Sequence, residues 1–239
     1  MFSIVGLGLN KKGYSREAYD SIVKAKKVYV DNYTVDFPYK ISNLQKQFKK
    51  KKFILADREF IESFKILDDA KKENVVLLVY GSPLTATTHI SLIEEAKKRK
   101  IKCQIVHGAS IIDAVAETGL HLYKFGKITS MPKWERNFTP ESFMEIVRQN
   151  ESIKAHTLIL VDISLKFSEA LKQLEIAAGN RKVKLGKIIV CQSMGTKNQK
   201  IFYKKFEDLR NLENIKNPFC FIIPSDLHFT ESEVLKNFS

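Results

Sequence analysis

Short apolar runs alternate with helical patterns through the first half of the chain. The apolar runs predict strands at residues 2–5, 27–30, 53–55, 75–80 and 102–106. Apolar residues at helical spacing predict a helix at residues 15–26, with Ser15 as its N-cap. Strands that are apolar at nearly every position are typical of a parallel sheet with helices on both faces. We therefore expect an α/β domain with a mostly parallel sheet.

The pattern changes after Gly126. There we predict strands at residues 128–131, 157–163, 186–191, 200–206 and 219–223, and helices near residues 141–149, 168–178 and 230–236. Strands now outnumber helices, which is typical of an α+β domain with a mixed or antiparallel sheet. A chain of 239 residues is long enough for two cores. The sequence thus predicts an N-terminal α/β domain at residues 1–124 and a C-terminal α+β domain at residues 125–239.

Composition indicates the cellular compartment and argues against a disulfide or a metal site. No apolar run approaches the roughly 20 residues of a membrane span, and the N-terminus lacks the pattern of an export signal. We expect a cytoplasmic protein that does not bind a membrane. Cys103, Cys191 and Cys220 stand alone, without paired spacing or clustered histidines. They are interpreted as buried thiols, and we predict neither a disulfide nor a metal site.

The net charge of +13 allows two interpretations. Such an excess favours an anionic partner, either nucleic acid or an acidic protein, and it is densest at FKKKKF, residues 48–53. It is equally consistent with a lysine-rich solvated surface, since the lysines are spread along the whole chain. No pair of stacking aromatic residues at fixed spacing accompanies them, so we expect no specific nucleic acid partner.

Three polar or glycine-containing loops follow predicted strands. They are VGLGL at residues 5–9, GSP at residues 81–83 and HGAS at residues 107–110. Ligands of open α/β sheets bind at the carboxyl ends of the strands, where glycines let a ligand approach the backbone. The spacing of Gly6, Gly8 and Gly13 is not that of a dinucleotide fingerprint. A capping-box pattern at Ser110 and Asp113 opens the helix after the third loop.

Longer motifs carry a resemblance to a known family. They are VGLGLN (5–10), VYVDNYT (28–34), GSPLTATTH (81–89), VHGASI (106–111), TGLHLYKFGKITSMP (118–132) and HTLILVDI (156–163). Together they make the chain similar to the diphthine synthases, which are S-adenosylmethionine-dependent methyltransferases of the tetrapyrrole-methylase type (class III). The stretches ATTH and TGLHLYKFGK distinguish this group from its corrin-methylating and ribosomal-RNA-methylating relatives.

The resemblance implies a fold, an assembly and a reaction. The fold would be two α/β domains with S-adenosylmethionine in the cleft between them, and the assembly a homodimer. The reaction would be N-methylation, as a trimethylation, of the amino group of a 3-amino-3-carboxypropyl-histidine on translation elongation factor 2, with S-adenosylhomocysteine as the product. The resemblance leaves open whether three methyl groups are added to the side chain in all, as in archaeal-type enzymes, or four, as in eukaryotic ones. By matching position, the implied cofactor-binding residues are Leu9, Ser82, Thr85, Ser110, Ile111, Val161, Met194 and Phe219.

Methyl transfer from a sulfonium needs alignment more than it needs reactive side chains, because the cofactor supplies the leaving group. We therefore nominate no catalytic residue and no general base, and we interpret the five histidines, among them His89 and His156, as structural. The chain departs from the family at two positions. Ser82 stands in GSP where the family has GDP, and Phe219 stands where the family has histidine. We expect these departures to weaken cofactor binding without abolishing function.

Two other functions fit parts of the sequence. A methyltransferase of the same fold that acts on a corrin precursor or on ribosomal RNA would explain the glycine loops and the basic charge. It would not explain TGLHLYKFGK. A non-enzymatic RNA-binding module would explain the charge alone.

Overall fold

The computed structural model describes all of residues 1–239. Its strands are β1 (Phe2–Gly6), β2 (Lys27–Asp31), β3 (Phe53–Ala56), β4 (Val75–Val79), β5 (Cys103–Val106), β6 (Thr129–Met131), β7 (Thr157–Val161), β8 (Lys187–Gln192), β9 (Lys200–Lys205) and β10 (Phe219–Ile223). Its α-helices are α1 (Arg16–Lys24), α2 (Ile41–Gln45), α3 (Arg58–Glu62), α4 (Lys65–Ala70), α5 (Ile90–Lys98), α6 (Ile111–Ala114), α7 (Ser142–Ser152), α8 (Phe167–Arg181) and α9 (Phe229–Leu235). No helix combines the length and the apolar character that a bilayer crossing requires.

The first five strands form one parallel sheet in the order β3-β2-β4-β1-β5. Two separate apolar clusters contain alternate residues of the same strands. Ile4 and Leu77, which are register partners, belong to one cluster, whereas Val5 and Leu78 belong to the other. Both faces of the sheet are therefore covered, which explains why its strands are apolar throughout. This confirms the parallel sheet predicted from the sequence.

The last five strands form a mixed sheet in the order β6-β7-β10-β8-β9. Only the β6–β7 pair is parallel, and the other three pairs are antiparallel. Helices α7 and α8 pack on one face through Phe143, Leu171 and Leu174, all of which are buried. The predicted mixed sheet is thus confirmed.

The chain divides into two compact units, Met1–Asp113 and Ala114–Ser239. The sequence placed its domain boundary between residues 124 and 125, where the spacing of strands and helices changes. The division between the compact units lies earlier, inside α6. The domain boundary at 124/125 stays a prediction.

Side-chain caps set the ends of several elements. Ser15 accepts a hydrogen bond from the Ala18 N–H at the start of α1. At α6, the Ile112 N–H donates to Ser110 Oγ (3.1 Å) and the Ser110 N–H donates to Asp113 Oδ2 (2.7 Å). Ser110 thus caps α6 and Asp113 returns a bond to its N–H, as the sequence predicts, although Ser110 Oγ accepts from the second helical N–H rather than from the third, which a strict capping box uses. Strand β7 ends before the predicted residue 163, because Asp162 accepts hydrogen bonds from Ser164 and turns the chain.

Candidate functional site

Two glycine-containing loops join at the carboxyl edge of the parallel sheet. Gly8 follows β1 and Gly81 follows β4, and these strands are neighbours. The Gly8 N–H donates to the Gly81 carbonyl (3.2 Å), and the Gly81 N–H donates to the Gly8 carbonyl (3.0 Å). Both glycines have positive φ, at +66° and +73°, which residues with a Cβ rarely adopt. The two loops are therefore joined directly by backbone hydrogen bonds.

The third loop packs against the same bridge. A Cβ built on Gly108 would lie 2.7 Å from the Gly81 carbonyl oxygen and 2.8 Å from the Gly8 nitrogen. A Cβ on Gly6 would lie 2.7 Å from the Gly81 oxygen and 2.8 Å from the Gly108 nitrogen. Real Cβ atoms do not approach backbone atoms this closely, so the three loops can meet only because these positions are glycine. The sequence predicts a ligand edge here, and the structure shows that the three loops pack together at it.

Leu9, the first of the implied site residues, is held by an aromatic side chain. The Tyr80 hydroxyl donates to the Leu9 carbonyl (3.0 Å), and the Leu9 side chain is buried. The Tyr80 ring in turn packs against Phe37 and Tyr39, which follow β2. From the sequence alone, Tyr80 has no role beyond ending its strand. Its position directly before Gly81 was the available signal.

Ser82 and Thr85 offer hydroxyl groups beside this bridge. The Thr85 N–H donates to the Ser82 carbonyl (3.3 Å), which makes a turn, and both side chains are half-buried. Neither hydroxyl has a hydrogen-bond partner within the chain. Both are therefore available to a ligand.

Ser110 and Ile111 lie at the start of α6, on the loop that contains Gly108. The side chain of Ser110 is buried and engaged in the cap of α6, while Ile111 is half-buried. The fold thus gathers five implied site residues on three adjacent loops of the first unit: Leu9, Ser82, Thr85, Ser110 and Ile111.

The other three implied residues lie in the second unit, at one end of the mixed sheet. Val161 ends β7, and Phe219 begins β10, whose next residue pairs with Leu160 of β7. Phe219 also pairs with Gln192, the last residue of β8, which Met194 follows closely. The strand register therefore brings Val161, Met194 and Phe219 to the same sheet end.

The ring of Phe219 belongs to the hydrophobic core. It packs edge to face against Phe167 at 5.4 Å and against Phe221 at 5.7 Å between ring centroids. Met194 is buried as well. A ligand at this position would meet the Phe219 backbone more readily than its ring.

A buried acid–histidine pair lies behind the GSP turn. His89 Nε2 is 3.3 Å from Asp31 Oδ2, and neither side chain is exposed to solvent. His89 Nδ1 is 3.3 Å from the carbonyl oxygen of Pro83, the residue after Ser82. From the sequence we interpret His89 as structural and assign no role to Asp31, because the two residues are far apart in the chain. The structure joins the VYVDNYT and ATTH motifs through this pair.

The motif TGLHLYKFGK is held by a second buried acid. Glu231 of α9 accepts hydrogen bonds from the Lys124 ammonium (2.6 Å) and from the backbone N–H groups of His121 and His228. Burial opposes the charged form of Glu231, but these hydrogen bonds outweigh burial and lower its pKa to about 2. His156 Nε2 lies 3.2 Å from the same carboxylate.

His156 has the environment of a structural histidine. Its Nδ1 accepts a hydrogen bond from the Ser225 N–H (3.0 Å), so the ring proton belongs on Nε2, which faces Glu231. Burial lowers the pKa of His156. These contacts agree with the interpretation of His156 from the sequence.

The densest run of lysines lies away from the glycine loops. Residues 49–52 precede β3, so they lie at the amino ends of the parallel strands, whereas the loops lie at the carboxyl ends. Phe48 and Phe53 flank the run and are buried against each other, with ring centroids 5.8 Å apart. Charge at this place does not contribute directly to the candidate site.

The loops of the first unit suit a small polar ligand with an apolar part. The glycines bring backbone close to the ligand, Ser82 and Thr85 supply free hydroxyls, and Leu9 and Ile111 supply apolar contact. Nothing in this group of five side chains is a nucleophile paired with a base. The arrangement is suited to binding and orienting a group-transfer cofactor.

Comparisons with known proteins agree on one group. A family model described as tetrapyrrole (corrin/porphyrin) methylases matches residues 1–210. The diphthine synthase of Methanocaldococcus jannaschii is 34% identical over 252 aligned residues, which cover 99% of this chain and 98% of that protein. The diphthine methyl ester synthase of Schizosaccharomyces pombe is 38% identical over 169 residues, which cover 70% of this chain and 59% of that protein.

A solved structure of a diphthine synthase is also similar to this chain. The crystal structure of a diphthine synthase superimposes with a TM-score of 0.89 at 31% identity, covering 100% of this chain and 95% of that one. The similarity therefore extends over both compact units.

Proposed function

Because the chain belongs to the tetrapyrrole methylase family and, within it, to the diphthine synthases, we propose that it methylates translation elongation factor 2. The acceptor is the amino group of a 3-amino-3-carboxypropyl-histidine, an intermediate in the synthesis of diphthamide. The methyl donor is S-adenosylmethionine and the product is S-adenosylhomocysteine. The observation that carries this proposal is the 34% identity to a diphthine synthase over nearly the full length of both chains.

The residues of the three loops fit the proposed cofactor. S-adenosylmethionine has hydroxyl and amino groups that can pair with Ser82 and Thr85, and its adenine is apolar enough to pack on Leu9 and Ile111. In the second unit, Val161, Met194 and Phe219 are the residues that the family resemblance implies for cofactor binding. When bound, the cofactor supplies an activated methyl group on a sulfonium.

The chain itself contributes orientation and exclusion of water. Holding the acceptor amine in line with the methyl group converts an encounter of two molecules into a reaction within one complex. The interlocked glycine loops favour this role, because a rigid cradle loses little freedom when the ligand binds. We assign no general base, since an aliphatic ammonium can lose its proton to water or to a nearby carboxylate.

Mass spectrometry of the acceptor protein tests the proposal. Elongation factor 2 carrying the aminocarboxypropyl-histidine is incubated with this protein and S-adenosylmethionine. We expect successive gains of one methyl group each. The curated relative from yeast is named a methyl ester synthase, so a base-labile ester on the carboxylate is a further product to measure.

Two controls make the result specific. Elongation factor 2 with an unmodified histidine should gain no mass. Methyl transfer to bulk ribosomal RNA or to a corrin precursor, with none to elongation factor 2, would refute the proposed acceptor while retaining the methyltransferase.

We further propose that the protein acts in the cytoplasm as a homodimer, as its family resemblance implies. Light scattering coupled to gel filtration distinguishes the 27.5 kDa chain from a species of twice that mass. A single species at the mass of one chain over the working concentration range would contradict the dimer.

A further inference from the structure

The His89 ring lies between two acceptors. Its Nδ1 is 3.3 Å from the Pro83 carbonyl oxygen, and its Nε2 is 3.3 Å from Asp31 Oδ2. Neither side chain of the pair is exposed to solvent. The Pro83 carbonyl also receives a long contact from Thr87 Oγ1, at 3.4 Å. His89 is thus the element that connects Asp31 to the GSP turn.

The two contacts of the ring differ in kind. The contact with Pro83 has the geometry of a hydrogen bond, whereas the contact with Asp31 has the distance of an ion pair without the alignment of a hydrogen bond. A carbonyl oxygen can only accept, so His89 Nδ1 is the donor in the bond to Pro83. Nε2 faces the Asp31 carboxylate at 3.3 Å.

Asp31 is itself fixed by the loop after β2. Its Oδ1 accepts hydrogen bonds from the backbone N–H groups of Tyr33 (3.0 Å) and Thr34 (3.3 Å), and its Oδ2 accepts one from the Thr34 hydroxyl. The Tyr33 ring meets His89 edge-on, and the Arg58 guanidinium lies 5.4 Å from the centroid of the Tyr33 ring. The carboxylate therefore has a defined position from which to hold the imidazole.

The Asp31–His89 pair lies next to the turn at the proposed ligand edge. Asp31 ends β2 and Pro83 follows β4, which is the neighbour of β2 in the sheet. Ser82, which we assign to the cofactor, immediately precedes Pro83 in the turn that His89 contacts. Because His89 contacts the Pro83 carbonyl, the turn is fixed and Ser82 keeps one orientation.

We infer that His89, held by Asp31, is a positioning residue that fixes the turn at Gly81–Pro83 for cofactor binding. This inference rests on the proposed function, since it takes Ser82 as a cofactor contact. The His89 side chain is fully buried. It acts through its N–H bond to the Pro83 carbonyl.

Two amide substitutions separate the two contacts of His89, one with Pro83 and the other with Asp31. His89→Asn places an amide N–H near the position of Nδ1, so it retains the bond to Pro83 and loses the contact with Asp31. His89→Gln places its amide near Nε2, so it retains the contact with Asp31 and loses the bond to Pro83. Both should lower the melting temperature, because each leaves part of a buried network unpaired. Isothermal titration with S-adenosylhomocysteine measures the ligand affinity of each variant, which the melting temperature does not report.

We expect His89→Gln to bind S-adenosylhomocysteine about fivefold to tenfold more weakly than the wild type, and His89→Asn to bind within about twofold of it. Equal affinities in the two variants, with only their melting temperatures lowered, would overturn the inference and leave the proposed function standing. No binding by the folded wild type would overturn both.

The same pair of substitutions in an Asp31→Asn background keeps the test usable if the single variants fail to fold. That background removes the buried charge while its amide oxygen can still accept from Tyr33 and Thr34. The difference in affinity between the Gln and Asn variants should persist, and its absence there would equally overturn the inference.

Discussion

Gly8 and Gly81 exchange two backbone hydrogen bonds and so join the loops after β1 and β4 into a single bridge. Gly108 of the third loop rests on that bridge with no room for a side chain. Since three of the implied cofactor loops depend on this contact, its integrity is the first property to test.

Gly108→Ala should destabilise the protein by about 1–3 kcal/mol, because the added methyl group meets fixed backbone atoms on both sides. It should also weaken binding of S-adenosylhomocysteine, since the loops must move apart. Urea unfolding and titration calorimetry measure the two effects.

Gly179→Ala is the matched control. Gly179 lies in α8, and a Cβ there meets nothing within 4 Å. Alanine favours a helix over glycine by roughly 0.5–1 kcal/mol, so this variant should be slightly more stable. Equal effects of the two substitutions would show that the loops are not closely packed.

S-adenosylhomocysteine should stabilise the wild-type protein against heat, because it shares the adenosine and amino acid groups of the methyl donor. At a concentration one hundred times its dissociation constant, the gain would be about 2.7 kcal/mol. Differential scanning fluorimetry detects the shift. The absence of a shift at millimolar ligand, together with no heat of binding, would remove the methyltransferase proposal.

A negative charge at position 82 should strengthen cofactor binding. A carboxylate accepts a stronger hydrogen bond from a donor group of the cofactor than a hydroxyl does, about 1.5–3 against 0.5–1.5 kcal/mol. Ser82→Asp should therefore tighten binding of S-adenosylhomocysteine by up to about tenfold, and Ser82→Ala should weaken it. Titration calorimetry on the three proteins measures the series. Flat affinities would place Ser82, and with it Thr85, outside the site.

Glu231 should make stability depend on pH. Its pKa is about 2 in the folded protein and 4.5 as the ordinary value. The lowered pKa means that its contribution is fully present above pH 4.5 and is lost as the pH falls through about 2. Glu231→Gln should destabilise the protein by roughly 3 kcal/mol at pH 7, because the Lys124 ammonium loses its carboxylate partner.

The difference in unfolding free energy between wild type and Glu231→Gln should begin to shrink only below pH 4.5. Chemical denaturation at a series of pH values follows it. Glu175→Gln is the control, since Glu175 is an exposed partner of Arg210 and should change stability little. A pH-independent difference would mean that the charge on Glu231 is not what stabilises the motif.

The lysine excess should affect the encounter with elongation factor 2. If it steers docking onto an acidic face, methylation at subsaturating elongation factor 2 should slow as salt rises. Binding of S-adenosylhomocysteine should hardly change, because the assigned cofactor residues are uncharged. Initial rates and calorimetry at several salt concentrations compare the two, and equal losses would argue against steering.

The sequence by itself determined the strands of both sheets, and it predicted the edge that a ligand would use. Apolar continuity is a local property, and it marks strands such as β4 because both faces of a parallel sheet are buried. The caps at Ser15 and Ser110 could be predicted for the same reason, since each bond spans only a few residues. The motifs then identified the family, because they lie in order along almost the whole chain.

Only the tertiary structure decided which distant residues meet. Asp31 and His89 are far apart in sequence, and no pattern in either segment shows that β2 and β4 are neighbours. The same holds for Glu231 and Lys124, whose contact requires α9 to lie beside the TGLHLYKFGK segment. The fit of Gly108 against Gly8 and Gly81 likewise depends on strand order, because parallel strands bring their loops together only after the crossovers have placed them side by side.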